Sequence, residues 1–162
     1  MKTRVAIIED NARFREELAA LIASTKDLEL AGAVGSAEEA LAKLPALAPS
    51  VVVMDINLPG ASGIECAGKL RELLPEAQIL MLTVYEDTDS IFRALQAGAT
   101  GYLLKRAHPR DILNGIRVTW DTIRHRHLHV IDVVGASIER GLKVRGSNET
   151  QGTGVCVDRE KA

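Results

Sequence analysis

Four apolar runs of this sequence end in side chains able to do chemistry. Glu9 and Asp10 follow Val5–Ile8, Asp55 follows Ser50–Met54, Thr83 follows Gln78–Leu82 and Lys105 follows Thr100–Leu104. Three carboxylates brought together repel one another and are costly to desolvate, so such a cluster calls for a divalent cation. Mg²⁺ is the natural candidate, a hard ion that accepts one or two carboxylates, keeps several waters and bridges to phosphate oxygens. Lys105 and Thr83 would then offer a point charge and a hydroxyl donor to an incoming phosphoryl oxygen. A carboxylate can itself be the nucleophile in phosphoryl transfer, giving an aspartyl phosphate.

That chemistry requires the four chain segments to converge, and the apolar pattern between them predicts how. After Val5–Ile8 come Phe14, Leu18, Leu21 and Ile22 at helical spacing. Leu28–Val34 reads as a strand, Ala37–Leu44 as a helix capped by Ser36, and Ser50–Met54 as a strand. A turn at Pro59 and Gly60 leads to a helix near Ile64–Leu74, closed by Pro75. Gln78–Leu82 is a strand and Thr88–Gln96 a helix, with Gly98 where a left-handed cap belongs. Thr100–Leu104 is a strand and Pro109–Val118 a helix with proline in its first turn. Continuous rather than alternating apolar strands imply helices on both faces, so the fold class is α/β, a doubly wound parallel sheet of five strands. In such a sheet ligands bind beyond the carboxyl ends of the strands, where the polar residues sit.

Composition sets the outer bounds. A chain of 162 residues allows one ordinary domain and an appendage. Hydrophobic residues make up 46% and aromatic ones 3%, so Val, Ile, Leu and Ala must build the core. The formal net charge of -2 gives the whole chain no pull toward nucleic acid or anionic lipid. Cys66 and Cys156 form neither a CxxC pair nor a disulfide framework, which suits a reducing cytoplasm. Neither a signal peptide nor a membrane-spanning run is apparent, and the reading is a soluble, cytoplasmic protein. A nucleotide-binding enzyme on a similar sheet is disfavoured, since neither GxGxxG nor GxxxxGK[ST] follows the first strand.

Taken singly, Asp10 or Asp55 is an ordinary cap or turn residue, Lys105 a solvated lysine and Tyr102 a strand aromatic. Their coincidence reverses that reading. Glu9-Asp10, Asp55 within Met-Asp-Ile-Asn-Leu-Pro-Gly, Gly63, Thr83, Tyr102 and Lys105 together resemble the response-regulator receiver family, with a flavour of its NarL/FixJ branch. The resemblance runs from residue 3 to about 118. It implies a flavodoxin-like (βα)₅ receiver over residues 1–120, with 121–162 an irregular C-terminal tail, partly disordered or out of frame.

The resemblance further implies that Asp55 is the phosphoacceptor, taking its phosphoryl group from the phosphohistidine of a sensor histidine kinase or from a small donor. Asp10 would hold Mg²⁺ directly, Glu9 through water, Asp55 itself and the Asn57 backbone carbonyl completing the protein ligands. Lys105 would pair with the phosphoryl group, Thr83 would move to hydrogen-bond it, and Tyr102 would turn inward. The surface around Thr88–Gln96, Thr100–Leu104 and Pro109–Val118 would be the partner or homodimer face. Chemistry would be confined to self-phosphorylation and self-dephosphorylation.

Two departures stand out: Arg106 follows Lys105 where the family often has proline, and Val84 follows Thr83 where a smaller residue is frequent and could restrict the pocket. Beyond Thr119 the regular pattern breaks down. His125, His127 and His129 alternate as strand ligands would, but without a nearby Cys or carboxylate at ligand spacing they read as a polar solvated segment. NarL/FixJ relatives usually continue into a helix-turn-helix domain, and this chain shows no Leu-Thr-x-Arg-Glu entry to one and supports no DNA binding. The alternative reading is therefore a truncated or frame-shifted DNA-binding regulator.

Overall fold

A computed structural model describes residues 1–84 and 87–124. The elements alternate as β1 (Thr3–Ile8), α1 (Ala12–Ala23), β2 (Leu28–Val34), α2 (Ala37–Leu47), β3 (Val51–Met54), α3 (Gly63–Leu73), β4 (Gln78–Thr83), α4 (Thr88–Gln96), β5 (Gly101–Leu104) and α5 (Pro109–Arg124). The five strands form one sheet in the order β2-β1-β3-β4-β5, and every neighbouring pair is parallel. The expected doubly wound α/β fold is therefore the observed one.

The sheet separates two apolar cores, and strand alternation assigns each side chain to one of them. Ala6, Ile8, Val52, Met54, Ile79 and Met81 point toward α2, α3 and α4. Val5, Ile7, Val51, Val53, Leu80 and Leu82 point toward α1 and α5. With both faces covered, a strand such as Val51–Met54 is buried at every position, which is why its sequence is continuously apolar.

Helix ends follow local chemistry. Asn11, Ser36, Ser62 and Asp87 cap α1, α2, α3 and α4, their side chains accepting from the N–H of Phe14, Glu39, Glu65 and Ser90. Gly98 takes the left-handed conformation expected of it, with φ of 106°.

Two helices run further than their sequence suggests. α2 continues through Pro45 to Leu47, since a proline in the last turn forfeits a single backbone bond and Ala48 still donates to Leu44 O at 3.0 Å. α5 continues past Val118 to Arg124. Ile112, Ile116, Thr119 and Trp120 keep helical spacing, the first three buried and Trp120 packed against the α1/α5 core. The helical pattern thus continues past Thr119 to Arg124. His125, His127, His129, Cys156 and the rest of the tail lie outside the described residues. Among those described, no helix is long and apolar enough to cross a membrane.

One glycine matters to the site. A Cβ on Gly63 would lie 2.0 Å from the carbonyl oxygen of Asp55 and 2.9 Å from Ile56 Cα, and the Gly63 N–H donates to Ile56 O at 2.7 Å. The start of α3 is thereby pressed against the backbone that carries Asp55. Gly63→Ala should cost about 2–3 kcal/mol, because the atoms in its way are backbone and cannot rotate aside. A urea midpoint equal to wild type would show instead that the loop yields freely.

Candidate functional site

Parallel strands place the ends of β1, β3, β4 and β5 along one rim. At β1, the Glu9 N–H donates to Val34 O on β2 at 3.0 Å, which carries the ladder one residue beyond the strand. The buried Glu9 side chain turns into the sheet end, where its Oε1 accepts from the Asn11 N–H at 3.0 Å. Asp10 remains exposed.

At β3, the Asp55 N–H donates to Ile8 O at 3.0 Å. That bond pins the start of the following loop to the central strand. Asp55 is 6% exposed and its Oδ1 accepts from the Asn57 N–H at 3.3 Å. Glu9, Asp10 and Asp55 each present one carboxylate oxygen within 4.8 Å of the others.

Lys105 closes the site from β5. Its N–H donates to Thr83 O at 2.8 Å, so backbone pairing with β4 sets its position. Its ammonium bridges two carboxylates, 2.5 Å from Glu9 Oε2 and 2.8 Å from Asp55 Oδ2. The ring of Phe14 lies beneath it, 5.0 Å from centroid to Nζ. Thr83 is fully buried at the neighbouring strand end. Tyr102, which pairs with Met81 across the strands, is already buried in the core on the α2/α3/α4 side. Val84 exposes 67% of its surface.

The charges do not balance. Burial pushes the Glu9 carboxyl above its ordinary value, more strongly than Lys105 and the Asn11 N–H pull it down, and Asp55 adds to the rise. Burial alone would lower the Lys105 ammonium, but hydrogen bonds and charge from Asp55 and Glu9 more than reverse this and hold it above 10.5. The two directions agree, because Lys105 faces two anions while each anion shares one cation. With Asp10 the site holds three carboxylates against one ammonium, which fits a hard divalent cation with oxygen ligands.

The response regulator receiver domain family matches residues 5–117. The chain belongs to that family. It is similar to the uncharacterized transcriptional regulatory protein YxjL of Bacillus subtilis, 34% identical over 116 residues that cover 72% of this chain and 53% of YxjL. It is similar also to the response regulator protein VraR of Staphylococcus aureus, 30% identical over 119 residues covering 74% and 57%. The chain thus spans about half the length of these curated relatives. Among solved structures it resembles the receiver domain of a putative response regulator NarL from Mycobacterium tuberculosis. The TM-score is 0.69 at 26% identity, over 77% of this chain and 98% of that one. A CheY-like receiver domain from Methanospirillum hungatei gives 0.70 at 26% identity, over 78% and 100%.

In this receiver the residues singled out from sequence meet at one strand rim: Glu9, Asp10, Asp55, Thr83 and Lys105, with Asn57 bonded to Asp55 through its N–H. Among the described residues no peptide bond is cis, in keeping with Arg106 after Lys105. Three contributors carried no signal of their own. Asn11 fastens Glu9 while capping α1, Phe14 supports the lysine, and Arg15 donates to the carbonyl oxygens of Glu9 and Asp10 at 2.6 and 3.4 Å. Phe14 had been legible only as a core position of α1.

Removing the cation should expose the imbalance as a pH dependence. In chelated Lys105→Met protein, the burial that raises Glu9 would no longer be opposed by the lysine, so Glu9 would bind its proton more tightly folded than unfolded and stability falls as pH rises past the carboxylate range. Urea unfolding should find the variant close to wild type near pH 4 and about 2–4 kcal/mol less stable at pH 7. Parallel pH profiles for the two proteins would contradict the shared-cation account.

Proposed function

We propose that this receiver is a Mg²⁺-dependent switch phosphorylated on Asp55 by a sensor histidine kinase in the cytoplasm. The observation that carries the reading is Lys105 Nζ 2.8 Å from Asp55 Oδ2 inside a three-carboxylate cluster. Glu9, Asp10, Asp55 and the Asn57 backbone carbonyl would hold the metal. Bound Mg²⁺ supplies positive charge that offsets the carboxylates and the incoming phosphoryl oxygens.

An Asp55 carboxylate oxygen attacks the phosphorus of a phosphohistidine; the new O–P bond forms as the N–P bond breaks, and the electron pair stays on the imidazole nitrogen, which takes a proton. Lys105 transfers its ammonium from the carboxylates to a phosphoryl oxygen. Thr83 turns its hydroxyl to another, and Tyr102 packs into the space beside it. The added group brings about 1.5 to 2 negative charges and three strong acceptors to one point. Differential contact with Thr83 and Lys105 then biases the surface of α4, β5 and α5. The protein turns over no external substrate.

That surface suits a homodimer. Phe92 on α4 is 58% exposed, an apolar side chain that association would cover.

Incubation with acetyl phosphate and Mg²⁺ should add one phosphoryl group to the intact mass, and neither Asp55→Asn nor chelated wild type should gain it. Uptake by Asp55→Asn at the wild-type rate would overturn the assignment of Asp55. Light scattering should find the phosphorylated protein dimeric and phosphorylated Phe92→Asp monomeric. A Phe92→Asp dimer of unchanged affinity would place the interface elsewhere.

A further inference from the structure

Glu9 and Asp55 are held by their own side-chain bonds, to Lys105, Asn11 and Asn57. Asp10 is exposed, and its direction follows from its backbone. That backbone is tied at three points. The Glu9 N–H bonds to Val34 O, and the carbonyls of Glu9 and Asp10 both accept from one nitrogen, Arg15 Nη1, at 2.6 and 3.4 Å. Arg15 itself is rooted in the first turn of α1, where its N–H donates to Asn11 O at 2.9 Å. The guanidinium also lies over Gly35, where a Cβ would come within 3.2 Å of Nη1. Gly35 in turn is fixed by donating its N–H to Glu39 Oε2 on α2 at 3.1 Å.

We propose that Arg15 is a positioning residue for the metal site, its guanidinium clamping the Glu9 and Asp10 carbonyls so that the Asp10 carboxylate is presented to Mg²⁺. This rests on the metal reading above. A charge-assisted bond to a carbonyl is about twice as strong as a neutral one. The clamp therefore reduces the ordering that metal binding would otherwise impose on the Glu9–Asn11 turn. Arg15 touches neither phosphoryl group nor metal, so its loss should weaken cation binding without changing the chemical step.

The test is calorimetric titration of MgCl₂ into the full unphosphorylated chain, for wild type, Arg15→Ala, Arg15→Lys and Gly35→Val, with urea unfolding of each. Arg15→Ala should raise the Mg²⁺ Kd about five- to tenfold, as loss of a charge-assisted hydrogen bond implies. Arg15→Lys should recover part of it. The Mg²⁺ concentration for half-maximal phosphorylation by acetyl phosphate should rise alike, with the rate at saturating Mg²⁺ unchanged. An Arg15→Ala affinity within twofold of wild type would overturn the proposal. So would equal losses in Arg15→Ala and Arg15→Lys accompanied by a lower saturating rate, since that pattern marks general damage. Should Arg15→Ala fail to fold, Gly35→Val decides. Its branched side chain displaces the guanidinium while leaving Arg15 in the chain, and an unchanged Kd there refutes the clamp. Wild type that binds no Mg²⁺ would remove the metal reading itself, a failure distinct from an indifferent Arg15.

Discussion

Three carboxylates against one ammonium is the constraint around which this receiver is arranged. Glu9 and Asp55 are almost wholly buried, and buried carboxylates survive only when paired, hydrogen-bonded or metal-bound. Lys105 satisfies two of them at once and leaves the cluster net negative. A pocket left in that condition favours cationic ligands and, once a divalent ion is present, anionic oxygens that bridge to it.

Such a cluster is tolerable because rigid elements impose it. The strand order puts β1 between β2 and β3, and β4 between β3 and β5, so the carboxyl ends that carry Glu9, Asp55, Thr83 and Lys105 are close neighbours. Backbone bonds reach past the strands to fix each one: Glu9 N–H to Val34 O, Asp55 N–H to Ile8 O, Lys105 N–H to Thr83 O. Burial on both faces of the sheet supplies the stability against which the electrostatic cost is set.

Much of this was legible because it rests on side-chain type and period. Continuous apolar runs such as Val51–Met54 announce strands covered on both sides, and polar residues directly after them announce the rim. The helix ends were less legible where packing overrode local preference. The expected helix Ala37–Leu44 continues through Pro45 in the last turn of α2, and Thr119 and Trp120 extend α5 because they continue its buried stripe. The supporting contacts of the site were not legible at all. Arg15 meets the Glu9 and Asp10 carbonyls, and Gly63 meets the Asp55 carbonyl. Backbone acceptors have no residue type, so a sequence cannot advertise them. Gly63 drew notice only through family resemblance, whereas its physical reason is a 2.0 Å approach that no side chain could survive.

The same backbone ties suggest how a change at the rim reaches the surface. β4 and β5 pair Thr83 with Leu104 and Met81 with Tyr102, and Lys105 hangs from the Thr83 carbonyl. Thr83 and Lys105, the two residues proposed to grasp a phosphoryl group, are therefore joined by a main-chain bond before any group arrives. Tyr102 is buried against the α4 side of the sheet, in the same core as Ala94 of α4. A close-packed core of this kind responds to a moved side chain by repacking between discrete arrangements rather than by yielding smoothly. If Thr83 moves as proposed, it would act on the packing that seats α4, and α4 carries the exposed Phe92. The proposed path from Asp55 to the outer face would then need only one strand pair and one helix.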